Sequence, residues 1–219
     1  MRAAHSSDAA PTFPVLLAGG HVRALVVGGG AVATRKALAL LDAGATVRLV
    51  APRIAPTLRE AARERPARLT LVERSYSAGD VAEANLVIAA TSDREVNAAV
   101  AREADALGRL VAVADAPEQG SWTAMAAHRA GALTIAVSAG GVPGAAARIR
   151  DALAERFDER YGDAVGRLAA LRARLLAAGD GDEWRQLGGE LLGPRFCADV
   201  ETGELSRRLG PRDGEESWR

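Results

Sequence analysis

The first half of the chain alternates between two hydrophobic periods. Short apolar runs rich in β-branched residues are each followed by a stretch whose apolar residues recur every three or four positions. Val22 to Val27 is the first run, and it breaks into Gly28-Gly29-Gly30 before helical spacing takes over to Leu41. Ala45 to Ala51 reads as a second strand, with Gly44 ending the helix before it. Thr57 to Arg65 predicts a helix stopped by Pro66, and Leu69 to Val72 a third strand. A polar turn, Ser77 to Asp80, leads to a brief helix. Asn85 to Ala90 is a fully apolar fourth strand, the kind buried on both faces of a parallel sheet. Thr91-Ser92-Asp93 offers a cap for a helix over Arg94 to Leu107, striped by Val96, Ala99, Val100 and Ala104, and Leu110 to Ala114 is the fifth strand. This alternation predicts an α/β fold with a parallel, doubly wound sheet.

The pattern then changes. Trp122 to Ala130 reads as a short helix, Ala132 to Ser138 as a strand broken by Gly140-Gly141 and Pro143, and Gly144 to about Arg160 as one long helix. Val165 to Ala178 carries Leu168, Leu171, Leu175 and Leu176 on one side and arginines 167, 172 and 174 on the other. Glu183 to Leu192 is a further helix, and the charged residues from Arg195 onward are expected to be loose. The leucine stripe must be buried, either in a homodimer interface or back on the sheet. Domain boundaries are accordingly expected at 1–114, 115–143, 144–194 and 195–219.

The glycine turn carries the chemistry. Gly28 permits a tight turn, Gly30 lets backbone approach a pyrophosphate, and Ala33 takes the small third position that lets helix pack on strand. The free N–H groups and positive dipole end of the following helix suit phosphate. A plain glycine turn is the competing reading. Asp115 ends the fifth strand, on the carboxyl edge where open α/β sheets place their ligand crevice; a turn initiator in Asp115-Ala116-Pro117 is the plainer alternative.

Composition narrows the classes. With 28 basic and 28 acidic residues in 219 the net charge is +0, which gives no field for nucleic acid and leaves anion binding to local arginines. Cys197 is the single cysteine, which excludes an internal disulfide and a thiolate metal cage and fits a reducing cytoplasm. His5, His21 and His128 lie far apart, so no metal site is expected, and His128 among alanines reads as an ordinary helix residue. Met1 to Pro14 lacks an apolar leader core, and the apolar stretch Ala37 to Ala43 is too short to span a bilayer, so a cytoplasmic, membrane-free protein is expected.

Five motifs, in order, resemble one family: Phe13-Pro-Val-Leu-Leu17, Val26-Val-Gly-Gly-Gly-Ala-Val-Ala-Thr-Arg-Lys-Ala37, Ala89-Ala-Thr-Ser-Asp-Arg-Glu-Val-Asn97, Val113-Ala-Asp-Ala-Pro117 and Ile135-Ala-Val-Ser-Ala-Gly-Gly141. The stretch from about 13 to 155 is similar to the precorrin-2 dehydrogenase module of siroheme synthases. The resemblance implies a Rossmann-like NAD-binding domain, a small dimerisation region and a C-terminal helical region, assembled as a homodimer. It implies oxidation of precorrin-2 to sirohydrochlorin with NAD⁺, with iron inserted as well by some members. The methyltransferase domain fused to other members is not expected here, since the sequence stops at Arg219.

The family's cofactor contacts fall on the glycine turn, Gly28, Gly29 and Gly30, on Ala31 and Val32 after it, on Pro52 and Arg53 after the second strand, and on Thr91 and Ser92 after the fourth. Its catalytic aspartate falls on Asp115, as base for the proton that leaves with the hydride, a role that burial would strengthen. The substrate is a polycarboxylate, for which Ser138, Gly140, Gly141, Arg148 and Arg150 are the candidates, the arginines being equally readable as a solvated face. The chain departs from the family in three places. Ala139 replaces a serine that is phosphorylated in at least one member. Val142-Pro143 replaces Ser-Pro in a loop about one residue short. No acidic residue follows the second strand, and Arg53 could accept a 2′-phosphate, so NADP stays open beside the NAD of family precedent. A dinucleotide-sensing module of the potassium-transporter kind is the alternative function; it shares the βαβ start and a threonine–aspartate–asparagine turn, here Thr91, Asp93 and Asn97, but has no reason to carry Val-Ala-Asp-Ala-Pro.

Overall fold

The computed structural model describes residues 12–210, so the leader expectation up to Pro11 and the tail from 211 lie outside the described residues. The chain divides once, into compact units Met1–Ala124 and Met125–Arg219, where the sequence suggested three boundaries.

In the first unit, five parallel strands stand in the order β3-β2-β1-β4-β5, with β1 Arg23–Val27, β2 Thr46–Val50, β3 Leu69–Val72, β4 Leu86–Ala89 and β5 Leu110–Val113. The alternating pleat sends Ala24 and Val26 to one face and Leu25 and Val27 to the other. On the first face α1 (Ala31–Asp42) and α2 (Pro56–Glu64) bury Ala33, Ala37, Leu41, Leu58 and Ala61 against β1 and β2. On the second, α3 (Arg94–Ala106) buries Val100, Ala101 and Ala104 against β4 and β5. Two covered faces explain why these strands read as continuous apolar runs. The reversal of strand order between β1 and β4 puts a crevice at their carboxyl ends.

The brief helix expected after Asp80 is absent; residues 78–83 are turns, since Gly79 sits at φ +99° and Asp80 turns its carboxylate inward. That carboxylate is only 5% exposed. It accepts from Arg74 Nη1 (2.8 Å) and Nη2 (2.6 Å), Arg48 Nη2 (3.0 Å) and Ser77 N (3.0 Å). The Arg74 hydrogen bonds, more than the opposing burial, hold its carboxyl well below the usual carboxylate range. A carboxyl whose folded pKa is depressed lends stability above its unfolded value near 4 and loses it as pH falls towards the folded one. We therefore expect the chain to unfold more readily in urea at pH 3.5 than at pH 7, and Asp80→Ala to cost roughly 1–3 kcal/mol at pH 7 with a flatter acid dependence. An unchanged pH profile in the variant would remove Asp80 from the acid response.

The second unit corrects several expectations. Residues 126–130 form a strand, β6 (Ala126–Ala130), where Trp122 to Ala130 suggested a helix. Gly131, at φ +49°, turns the chain straight into β7 (Leu133–Val137), and antiparallel pairing of Ala130 with Leu133 and His128 with Ile135 outweighs the helix propensity of the alanines. The long helix expected to run to Arg160 ends at Arg156 (α4, Pro143–Arg156), because Asp158 caps a new one, α5 (Glu159–Ala178), through Arg160 N. His128, a strand residue and not a helical one, donates from its ring to the freed Phe157 carbonyl at 2.6 Å.

The residues from Arg195 are not loose as far as Leu209. They form α7 (Phe196–Glu201) and α8 (Glu204–Leu209), which follow α6 (Gly181–Leu191). Val200, Leu205, Leu209, Phe196 and Cys197 pack with Tyr161, Ala164, Leu168 and Leu171 of α5. Leu168 and Leu171 of the leucine stripe are thus covered by α7 and α8, an answer neither sequence alternative named, while Leu176 stays exposed. Tyr161 Oη donates to Glu201 at 2.8 Å, and Arg156 Nε meets the same carboxylate oxygen at 2.8 Å.

Candidate dinucleotide site and Asp115 cleft

Three backbone bonds set the rim of the first unit. Gly28 N donates to Val50 O (2.9 Å), Ala90 N to Val27 O (2.8 Å) and Ala114 N to Ala89 O (2.9 Å), so the ends of β1, β2, β4 and β5 are held level. At φ +127°, Gly28 adopts a backbone that side chains rarely allow, and a Cβ there would stand 2.3 Å from Ala90 O. Gly29 is required by packing as well, since its Cβ would meet Arg53 O at 2.0 Å. Gly30 differs: its φ of −83° suits any residue and a Cβ would meet nothing within 4 Å. The open space in front of Gly30 is a cradle of the kind a pyrophosphate needs.

The first bond of the α1 ladder runs from Thr34 N to Gly30 O (2.9 Å), which leaves the N–H groups of Ala31, Val32 and Ala33 ahead of it. No side chain caps them and the first turn holds no acidic residue, so nothing competes with an anion at the positive end of this helix. Ala31 and Val32 are exposed there. Pro52 and Arg53 are exposed beyond β2, and no carboxylate lies between Val50 and Arg53. The residues present fit a dinucleotide.

Asp115 follows β5 by two residues on the same edge. One strand, β4, lies between β5 and β1, which sets the two strand ends two spacings apart, roughly 10 Å. Its side chain is 32% exposed, short of the burial that would strengthen it as a base. Asn97 Nδ2 donates to Asp115 Oδ1 at 2.8 Å, and Arg94 Nε lies 3.5 Å from Oδ2. Arg94 is 87% exposed, which makes that pair weak in water and its guanidinium available to another anion. Asp115 lines a cleft of about 320 Å³ with Arg94, Asn97, Val113, Ala116, Glu118 and Gln119.

The cap is as expected: Asp93 accepts from Glu95 N and Val96 N. Thr91 is held internally, its hydroxyl between Asp93 and Asn97, whereas Ser92 is exposed. Asn97 was quoted in its motif without a role. Its signal was a polar residue on the buried stripe, which runs Asn97, Val100, Ala101, Ala104, one position round from the stripe read in the sequence. The five substrate candidates lie in the second unit. Gly140 (φ +54°) and Gly141 (φ +82°) turn the chain into α4, Arg148 is exposed, and Arg150 pairs with Asp151. Among the described residues no three His, Cys, Asp or Glu side chains cluster to hold a metal ion, and no helix is long and apolar enough to cross a membrane.

Residues 16–126 match the family model described as "Putative NAD(P)-binding". The chain is 43% identical over 153 residues to the siroheme synthase of Pseudomonas aeruginosa (strain PAO1), covering 69% of this chain and 32% of that protein. It is 41% identical over 151 residues to the siroheme synthase of Chromobacterium violaceum, covering 68% and 32%. The chain thus spans about a third of the length of these relatives. Among solved structures, SirC, a precorrin-2 dehydrogenase, superposes with a TM-score of 0.73 at 25% identity, over 90% of this chain and 98% of that one. With half the chain under one model, the chain belongs to this NAD(P)-binding family.

Proposed function

We propose that the chain oxidises precorrin-2 to sirohydrochlorin, with NAD⁺ as the hydride acceptor and Asp115 as the base. The observation that carries this reading is the pairing, on one sheet edge, of an open phosphate cradle at Gly30 with a carboxylate in a cleft two strands away. Bound NAD⁺ supplies the acceptor for two electrons and one hydrogen. Balance then requires one proton to leave the substrate, and the carboxylate of Asp115 takes it at Oδ1 or Oδ2 before passing it to water. The N–H groups of Ala31 to Ala33 hold the pyrophosphate, and Gly28 and Gly29 fix the turn that aims them. Family precedent favours NAD⁺ over NADP⁺, although Arg53 is the residue that would read a 2′-phosphate. Ser138, Gly140, Gly141, Arg148 and Arg150 supply donors for the substrate's carboxylates. Among the described residues no ligand cluster supports iron insertion, which some members perform.

Homodimer assembly in the cytoplasm follows from the same family reading. It is supported by a two-stranded sheet, β6-β7, that has no third strand among the described residues, and by exposed Val142 and Ile149 beside and on α4. The test is anaerobic incubation of the chain with precorrin-2 and either nicotinamide cofactor, following sirohydrochlorin absorbance. Turnover with NAD⁺, at a higher kcat/KM than with NADP⁺, is the expected result. Dinucleotide binding with no turnover would overturn the proposal in favour of a sensing module.

A further inference from the structure

We infer that Asn97 is a positioning residue for Asp115: locked onto the Thr91 backbone, its amide aims one N–H at the carboxylate and holds it in the cleft. The inference rests on the dehydrogenase reading above. Asn97 is 1% exposed, at the start of α3, and all four of its hydrogen-bonding positions are used. Oδ1 accepts from Thr91 N (3.0 Å) and from the Thr91 hydroxyl (2.8 Å), and Nδ2 donates to Thr91 O (3.2 Å). Thr91 N can only donate and Thr91 O can only accept, so the amide has one orientation. Its remaining N–H points, by geometry alone, at Asp115 Oδ1, 2.8 Å away.

A purely structural role accounts for three of these bonds, which tie the loop after β4 to α3. It does not account for the fourth, which leaves the loop for the end of the next strand. The helix end does not need it either, because Asp93 already caps α3. The other group on the carboxylate, Arg94, is 87% exposed and free to swing, so Asn97 is the rigid one of the two. A carboxylate hinged at Cβ explores several rotamers in water; a buried donor restricts it to one, and misplacing a reacting group by about 1 Å costs on the order of 10²-fold in rate.

The test is a double-mutant cycle on kcat for precorrin-2 oxidation with NAD⁺, with NAD⁺ affinity and thermal midpoint recorded for each protein. Asn97→Ala is expected to lower kcat on the order of 10²-fold while NAD⁺ affinity changes little, and to cause no further loss when added to Asp115→Ala. Equal fractional losses on both backgrounds, or a wild-type kcat in Asn97→Ala, would overturn the inference. A measurement that leaves Asn97 in place covers the event that its variant does not fold. In ¹⁵N-labelled protein, the Asn97 side-chain amide resonances should move on Asp115→Asn and follow a pH titration of the wild-type carboxylate; resonances that ignore residue 115 would also overturn it. A wild-type chain inactive on precorrin-2 would instead sink the dehydrogenase reading, and the inference with it.

Discussion

Asp115→Ala is expected to abolish nearly all precorrin-2 oxidation, a loss on the order of 10²–10⁴ in kcat, while NAD⁺ still binds. The size follows from what the side chain touches. It lines the cleft, partly exposed, with one oxygen on Asn97 and the other near the exposed Arg94, so truncation removes the proposed proton acceptor without opening a cavity in the core. Asp115→Asn should lose as much, because an amide keeps the shape and cannot take the proton. The proposed dinucleotide cradle, α1 and the glycine turn, lies on the other side of the strand-order reversal, so isothermal titration with NAD⁺ should give wild-type affinity for both variants. A variant with wild-type kcat would remove Asp115 from the mechanism. A variant that loses NAD⁺ binding would instead make it part of the cofactor site.

Gly28 and Gly30 should fail in opposite ways. Gly28→Ala forces a methyl to within 2.3 Å of Ala90 O and 2.7 Å of Ala90 C, at φ +127°. Both contact atoms are backbone in the middle of the sheet edge, so little can yield. Overpacking and backbone strain together cost roughly 2–5 kcal/mol, a large part of an ordinary domain's stability, and lower the melting temperature by roughly 5–15 °C. Gly30→Ala meets open space at an ordinary φ, so its melting temperature should match the wild type's. Its methyl stands where phosphate oxygens must approach, and NAD⁺ affinity should fall at least about tenfold, or ~1.4 kcal/mol. Thermal unfolding paired with NAD⁺ titration separates the two. Wild-type NAD⁺ affinity in Gly30→Ala would move the pyrophosphate away from the turn.

How much of this was legible in the sequence depended on whether local pattern and tertiary pairing agreed. β1, the glycine turn and α1 are decided locally: a short β-branched apolar run, a backbone that needs glycine, then a period of three to four. The placement of Asp115 followed from counting strands, since each parallel run ends at the same edge. β6 was not legible. Ala126, Ala127 and Ala130 favour a helix by propensity, and only a turn at Gly131 and a partner in β7 make them a strand. The break at Phe157 was hidden because the capping carboxylate of Asp158 sits in a run of charges that continues helical spacing. Burial of 196–209 depended on α5 presenting Leu168 and Leu171 to Val200, Leu205 and Leu209 from more than twenty-five positions away, which no window of sequence contains. Asn97 lay beside the stripe read in the sequence, and neither its burial nor its partners were legible there.

The clasp of α7 and α8 on α5 also sets an order of events during synthesis. The first unit has all five of its strands once β5 has left the ribosome, and it closes on itself while the rest is still being made. Leu168 and Leu171 emerge early and wait for Val200, Leu205 and Leu209, so a nascent chain stalled before Phe196 presents a sticky helix with a finished nucleotide fold behind it. That exposed interval closes only when Val200, Leu205 and Leu209 have emerged.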